Sequence, residues 1–347
     1  MTNYVFTSAN RAYGPKVAAL ASSLKHQEPE VRFVWALVEQ PGVARHVPTG
    51  VDEVLELDEL EGDWVGHLRG RPIVEACTAV KGVVLKHLLD REDCESVTYL
   101  DPDIWVYAQL TPVWEAMHEN SIILTPHMLS PSWTREGIFD NEVTTLKHGV
   151  FNLGFIAVTA DPRGRQFADW WEDRLRTYCW DAPHLGLFTD QRWVDHVPVF
   201  FEGVQILRHE GCNVATWNLG ERPISERDGE LWAGRDPLVF WHFSSVDTIA
   251  HLAQLEKYAQ NDIPRRISDH YRAALAAYER DFGYSGPWSL AASSPGPAPS
   301  PSLIRRSAAL PLQLMTIGPL AAAIRRVVPK SARSRIRSWL LPFAGGR

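Results

Sequence analysis

Apolar runs of strand length alternate with helical stripes along most of this chain, and one of those runs, Ser96 to Leu100, ends in Asp101-Pro102-Asp103. Tyr4 to Thr7 is a short strand candidate. Pro15 opens a helix to Leu24, with Val17, Leu20, Ala21 and Leu24 on one stripe. Val31 to Val38 is a nearly continuous buried strand, and Val51 to Leu57 a shorter one. A helix over Pro72 to Leu89, with Ala76, Val80, Val83, Val84 and Leu88 on one face, precedes the acidic strand. Ile122 to Thr125, Val150 to Val158 and Leu238 to Phe243 add strands, and Phe167 to Tyr178 a Trp-rich helix. This βαβ patterning with irregular insertions predicts an α/β fold, an open sheet covered by helices. Such sheets bind ligands at their strand ends.

At the exit of a buried strand, an extended Asp-x-Asp places both carboxylates on one side of the chain. They can share a hard divalent cation that keeps positions free for phosphate oxygens, which points to chemistry in which a diphosphate leaves. Asp-Pro-Asp is also ordinary turn chemistry, with Pro fixing φ and Asp bonding nearby backbone. The preceding helix and strand favour the metal reading.

The chain has 347 residues, enough for one large or two small domains, and 45% hydrophobic with 22% charged residues is ordinary for a globular protein. Fourteen Trp residues are not ordinary. Indole faces pack on sugar rings, and they also serve as core and rim filler. Cys77, Cys94, Cys179 and Cys212 form no CxxC pair, which gives a zinc site no support. With no secretory signal at Met1-Thr2-Asn3-Tyr4, they read as reduced thiols of a cytosolic protein.

Charge is divided unevenly. After Asp281 there is no Asp or Glu, but nine Arg or Lys; of 35 basic residues this leaves 26 against 42 acidic ones before that point, a charge of −16. The expected organisation is a catalytic-type domain over 1–290, a Pro/Ser-rich linker over 291–302 and a basic tail over 303–347. Residues Ser307 to Ile324 are uncharged but interrupted by Pro311, Gly318 and Pro319, which argues against a spanning helix. Ile336, Trp339, Leu340 and Phe343 lie beside Arg333, Arg335 and Arg337, a basic amphipathic pattern suited to an anionic membrane surface. At roughly 1 kcal/mol per basic residue, several suffice for reversible docking. A disordered solubilising tail is the alternative. Nucleic acid is not an expected partner, because the acidic body repels phosphates.

Taken in order, several segments resemble retaining glycosyltransferases of the GT-A fold, most nearly the family-8 group that uses nucleotide-sugar donors. Phe6-Thr7-Ser8 and Tyr13-Gly14-Pro15 look like the nucleoside-binding first loop and helix. Thr78-Ala79-Val80-Lys81 matches the position of a basic donor contact. Tyr99 to Asp103 matches the metal motif. Phe151-Asn152-Leu153-Gly154-Phe155 resembles the Asn-x-Gly strand, Thr189-Asp190-Gln191 the Asp-Gln motif, Asn213 to Asn218 the later Asn-bearing segment, and Trp241-His242-Phe243-Ser244 the terminal His motif. Singly, each has a plainer reading: Asn152 and Gly154 as a strand bend, Asp190 as a helix cap, His242 as a core histidine, Lys81 as a solvated helix residue. Their order and spacing together carry the resemblance, over Tyr4 to Asp247.

The resemblance implies a GT-A (Rossmann-like) open mixed sheet and transfer of a sugar from a nucleotide-sugar, UDP-sugar in the first instance, to a glycan or lipid-linked acceptor with retention of configuration. Asp101, Asp103 and His242 would hold Mn²⁺ or Mg²⁺, the nitrogen ligand favouring Mn²⁺. Thr7, Tyr13, Lys81, Asp101, Asn152, Gly154 and Asn218 would contact the donor. Gln191 would lie beneath the anomeric carbon, supporting front-side substitution, with a covalent intermediate on Asp190 as the other route. Cell-envelope polysaccharide or glycolipid synthesis, in the cytoplasm and peripheral to the inner face of the plasma membrane, is the implied setting. One departure stands out: Ser244-Ser245-Val246-Asp247 replaces the Gly and Lys that usually follow the His motif. A non-catalytic nucleotide-sugar or glycan-binding relative is therefore an alternative, and a nucleotidyltransferase a weaker one, since Thr7 to Gly14 offers only Arg11 to a triphosphate. Leu129 to His148 shows no regular pattern and is a candidate acceptor loop or a plain insertion.

Overall fold

The structure, a computed structural model, describes residues 1–43 and 45–291. The expected linker, apart from Ala291, and the basic tail lie outside the described residues.

Seven strands form the main sheet. In chain order they are β1 (Thr2–Ala9), β2 (Arg32–Leu37), β3 (Glu53–Glu56), β4 (Cys94–Leu100), β6 (Ile122–Pro126), β7 (Phe151–Thr159) and β8 (Val204–Ile206), with β5 (Ile104–Val106) outside it. Their spatial order is β8-β6-β7-β4-β1-β2-β3. Parallel pairing joins β1 to β2 and β4, β2 to β3, and β6 to β8. The exception is β7, antiparallel to both β4 and β6. The open mixed α/β sheet expected from the apolar alternation is the one observed.

Period-2 alternation divides the core into two layers. Tyr4 and Phe6 of β1 face the layer that contains helices α2 (Ile73–Leu89) and α3 (Pro162–Tyr178), while Val5 and Ala9 face α1 (Gly14–Gln27). The Trp-rich stretch works mainly as core here: Trp171 stacks on Phe167 inside α3, and Trp35, Trp64 and Trp241 are fully buried elsewhere. Two further helices, Ile249–Tyr258 and Ile263–Phe282, end the unit Met1–Ala291, the second packing along α1.

Most expected strands and helices are present with ends shifted by one to a few residues, as fraying makes normal. Leu129 to His148 is the main correction. Instead of irregular loop, it contains a helical turn at Arg135–Gly137, a wide π-type turn at Ile138–Val143 and a further turn at Thr144–His148. Thr134 caps it by accepting from the Gly137 amide at 3.0 Å. The periodic signal was present as Phe139, Val143 and Leu146, but these apolar residues do not face the core.

The α2–α3 crossing depends on a close backbone approach. A Cβ at Gly82 would sit 2.7 Å from the Cα of Glu172 and 2.9 Å from its amide nitrogen. Alanine is favoured over glycine within a helix by about 0.8–1 kcal/mol, whereas forcing helices apart costs about 1–3 kcal/mol. Gly82→Ala is therefore expected to destabilise the fold, and a rise in the urea midpoint would show that the crossing relaxes freely.

Candidate active site

The sheet topology brings the chemistry-bearing residues together. Asp101-Pro102-Asp103 leaves the C-terminal end of β4, where Leu100 pairs with Phe155 of β7. Because β7 runs the other way, its first residues, Asn152, Leu153 and Gly154, lie beside that exit. The Asp101 amide donates to the Gly154 carbonyl at 2.8 Å. A two-stranded ribbon supplies the histidine: β9 (Phe240–His242) pairs antiparallel with β5, setting His242 opposite Ile104. The Phe243 amide donates to the Asp103 carbonyl at 2.7 Å, which fixes the ribbon on the acidic turn.

One ligand-type atom from each of Asp101, Asp103 and His242 lies within 4.8 Å of the others. His242 Nε2 is 3.1 Å from Asp103 Oδ1 and 3.5 Å from Asp101 Oδ2. Its other nitrogen, Nδ1, is 3.2 Å from Asn152 Oδ1. That oxygen already accepts from the Gly154 amide at 3.0 Å and from Asn213 Nδ2 at 3.1 Å. It therefore accepts from Nδ1–H as well, and Nε2 is left to face the carboxylates. Asn152 Nδ2 in turn meets His127 Nε2 at 3.1 Å. Burial pushes the His127 imidazole down to about 4, so it serves as a neutral acceptor. Two carboxylates and an imidazole whose second nitrogen is held by a hydrogen-bonded oxygen fit a divalent cation of the Mn²⁺ type. Burial works against the charged forms of Asp103 and His242, yet each favours the other's ionisation: the carboxyl lies below its ordinary range and the imidazole above its own.

A second charge group adjoins the first. Lys81 Nζ, on α2, is fully sequestered and lies 2.8 Å from Asp190 Oδ2, 3.4 Å from Asp101 Oδ1 and 3.0 Å from the Leu153 carbonyl. It also sits 4.0 Å above the Tyr99 ring, whose hydroxyl donates to Asp101 Oδ1. Burial opposes the ammonium, but Asp101 and Asp190 outweigh it and raise its pKa. Asp101 thus divides its oxygens, Oδ1 towards Lys81 and Tyr99, Oδ2 towards His242. Thr189, before Asp190, holds φ at 43°, costly for a β-branched residue at about 1–3 kcal/mol. Its hydroxyl donates to Asp190 Oδ1 at 3.0 Å, which helps to fix the loop.

Gln191 uses both ends of its amide. Oε1 accepts from the Leu153 amide at 3.1 Å and Nε2 donates to the His148 carbonyl at 3.0 Å. It binds β7 to the helical segment before it. Gly154 is required by contact: a Cβ there would lie 2.6 Å from Cε1 and Nδ1 of His242.

These residues wall a cleft of about 420 Å³, which also touches His127, Asp140, Thr145, Trp217 and Gln254. A smaller cavity of about 180 Å³ adjoins it, lined by Ser8, Asn10, Tyr13, Cys77, Tyr99 and Pro102. Val74, Thr78, Lys81, Asp101 and Asp103 line both. Of the residues expected from the sequence, Lys81, Asp101, Asp103, Asn152, Gly154, Asp190, Gln191 and His242 meet in the cleft, and Tyr13 in its neighbour. Thr7 lies fully buried in β1, with neighbouring Ser8 on the smaller cavity's wall instead. Asn218 is set back from the wall and braces a loop, accepting from the Ala215 amide at 3.0 Å and donating to the Asn213 carbonyl at 3.1 Å. Sequence reasoning missed Lys16, His127 and Trp217. Lys16 Nζ lies 3.8 Å from Asp103 Oδ2 and 4.6 Å from the Tyr13 ring, and Trp217 meets the His242 ring edge-on at 5.6 Å. Lys16 directly follows Tyr13-Gly14-Pro15 and Trp217 lies within the Asn213 to Asn218 segment, whereas His127 carried no signal.

No family model matches the chain. Among curated proteins it is 30% identical over 195 residues, 55% of its length, to the uncharacterised protein YfnF of Bacillus subtilis (strain 168), and the match spans 63% of YfnF. It is 24% identical over 255 residues, 72% of its length, to the uncharacterised protein YfnD of the same organism, spanning 79% of YfnD. Among solved structures it is similar to a galactosyltransferase, LgtC, crystallised with donor and acceptor sugar analogs. That likeness has a TM-score of 0.47 and 15% identity, covering 80% of this chain and 96% of LgtC.

Lys81 balances two carboxylates, and its pair with Asp190 is almost fully buried, while Asp101 is partly open to the cleft. Breaking a buried ion pair from one side costs about 3–5 kcal/mol. Lys81→Met should lower stability by that amount in urea denaturation, whereas Lys86→Met, whose partners Asp90 and Asp169 are solvent-exposed, should change it by less than about 1 kcal/mol.

Proposed function

We propose that this chain is a metal-dependent glycosyltransferase that moves a sugar from a UDP-sugar to a glycan or lipid-linked acceptor with retention of configuration. The observation that carries the reading is the convergence of Asp101, Asp103 and His242 within 4.8 Å, on the wall of a cleft that also holds Lys81, Asn152, Asp190 and Gln191. Two adjoining cavities that meet at the acidic turn suit a donor whose nucleoside and sugar lie on either side of a diphosphate.

In this reading Asp101, Asp103 and His242 are the ligands of Mn²⁺ or Mg²⁺. When bound, that ion supplies Lewis-acid stabilisation of the departing diphosphate. The smaller cavity takes the nucleoside, with Tyr13 against the base. Lys16, beside Asp103, supplies the diphosphate cation that Ser244 and Ser245 do not. Lys81 and Thr189 orient Asp190 towards donor hydroxyls, Lys81 offsetting part of the burial that raises the Asp190 carboxyl pKa, and sugars lacking the matching hydroxyl lose that contact and are disfavoured. Gln191, engaged at both ends, is a positioning residue and not a nucleophile. That favours front-side substitution: the anomeric carbon–oxygen bond breaks with its electrons passing to the diphosphate. The acceptor oxygen bonds on the same face, and its proton passes to the leaving phosphate oxygen. The basic tail would hold the protein to an anionic inner-membrane surface, where cell-envelope glycans and glycolipids are assembled.

The Ser244-Ser245 departure also supports a second reading, a nucleotide-sugar binder without turnover. Purified protein with Mn²⁺ and a panel of nucleotide sugars separates the two. Slow donor hydrolysis with one sugar supports the transferase, binding without release of nucleotide supports the binder, and neither removes both.

The ligand assignment has a sharper check. Asp103→Ala and His242→Ala should abolish Mn²⁺-dependent nucleotide binding in calorimetry. Gly154→Ala, which keeps all three ligands but pushes the imidazole away, should weaken it by about 10–100-fold, the usual effect of disturbing a ligand's support. Unchanged binding in Gly154→Ala would place the metal elsewhere.

A further inference from the structure

The proposed chemistry leaves one well-formed element unused, the helical segment from Trp133 to Leu146. Trp133 is 90% exposed, Phe139 69%, Leu146 70% and Val143 44%, although large apolar side chains are ordinarily withdrawn from water. Phe139, Val143 and Leu146 follow one another at helical spacing and form one face. The segment is not loose. The Ser132 amide donates to Glu142 at 2.7 Å, and Asp140 accepts from Lys257 and from the Tyr258 hydroxyl, each at 2.5 Å. Its other face, with Asp140, Asn141 and Thr145, lines the cleft. A rigid element thus presents polar groups to the cleft and apolar groups outward.

We infer that this outer face lies on an anionic bilayer and holds the mouth of the cleft at the lipid surface. An almost fully exposed indole just before the capping Thr134 suits the interface, where one side of the ring is apolar and its N–H remains wet. The body before the tail carries −16, yet this patch is close to neutral: Arg135 and the adjoining Lys147 stand exposed beside Glu136, Asp140 is paired with Lys257 and Glu142 accepts from the Ser132 amide. It is a part of the surface that anionic headgroups do not repel. Among the described residues no helix is long and apolar enough to cross a membrane, so the element lies on the bilayer. The inference deepens the proposed function, on which it rests only for what enters the cleft: an acceptor whose lipid stays in the bilayer while its sugar enters.

The test uses the full chain and sedimentation with mixed phosphatidylcholine–phosphatidylglycerol vesicles, with no donor present, so that it does not depend on the proposed activity. The triple variant Trp133→Ser, Phe139→Ser, Leu146→Ser should lose at least about tenfold in partitioning, in line with the apolar area withdrawn from the bilayer. The loss should persist at about 0.5 M salt, where attraction of the basic tail is screened. Leu146→Trp should bind more tightly. Donor hydrolysis without vesicles should be unchanged in both. Equal sedimentation of the parent and triple variant would overturn the inference. So would a dimer of the parent chain that the triple substitution dissolves, since a second copy would then be the occupant.

Discussion

A single ammonium group organises the site. Lys81 draws together four pieces of chain that are remote in sequence: its own helix, the Asp101 turn, the Leu153 carbonyl of β7 and the Asp190 loop. Carboxylates withdrawn from water cost several kcal/mol each unless a cation compensates, and this one cation serves two. It also leaves one Asp101 oxygen to the Tyr99–Lys81 side and turns the other towards His242. The geometry of the Asp101-Asp103-His242 cluster is therefore held by the chain's own hydrogen bonds and ion pairs.

Around that charge, Asn152 acts as a hydrogen-bond hub. Its amide oxygen faces the Gly154 amide, Asn213 and His242, and its nitrogen faces His127. The imidazole tautomer follows from this arrangement. Asn213 takes φ of 56°, a left-handed conformation that asparagine tolerates, to reach its partner. Local strain at Asn213 and Thr189 is thus concentrated where side chains must meet at fixed angles.

The order of elements was legible because short apolar runs, as in β1 and β4, are interleaved with helical stripes, as in α1 and α2. The residues of the cluster were legible because Asp101-Pro102-Asp103, Asn152-x-Gly154 and Asp190-Gln191 each sit at a strand or helix boundary, where polar residues in an apolar context are conspicuous. What escaped depended on three-dimensional approach. Lys16 looks like any exposed residue of a helical first turn until α1 is placed against Asp103. Trp217 becomes relevant only when its loop folds over His242. Asn218 shows the converse, since an Asn in the expected segment proves to be spent on holding its own loop. The segment before β7 was misjudged because its apolar residues point away from the core, so their spacing did not look like a core-facing stripe.

The reversal of β7 has a further consequence. In a purely parallel sheet every strand leaves through the ligand edge, and the loop that follows it both continues the chain and shapes the site. Here one strand enters through that edge, so the segment preceding it stands at the cleft while the register of Asn152 and Gly154 is fixed by β4 and β6 on either side. Lengthening, shortening or recolouring the stretch from 129 to 147, which leaves out His127 and His148 with their bonds to Asn152 and Gln191, can change what the mouth of the cleft meets and leave the cluster's spacing intact. The fold separates a part that can be exchanged from a part that cannot, and the boundary between them is a single glycine, Gly149, at φ of 122°.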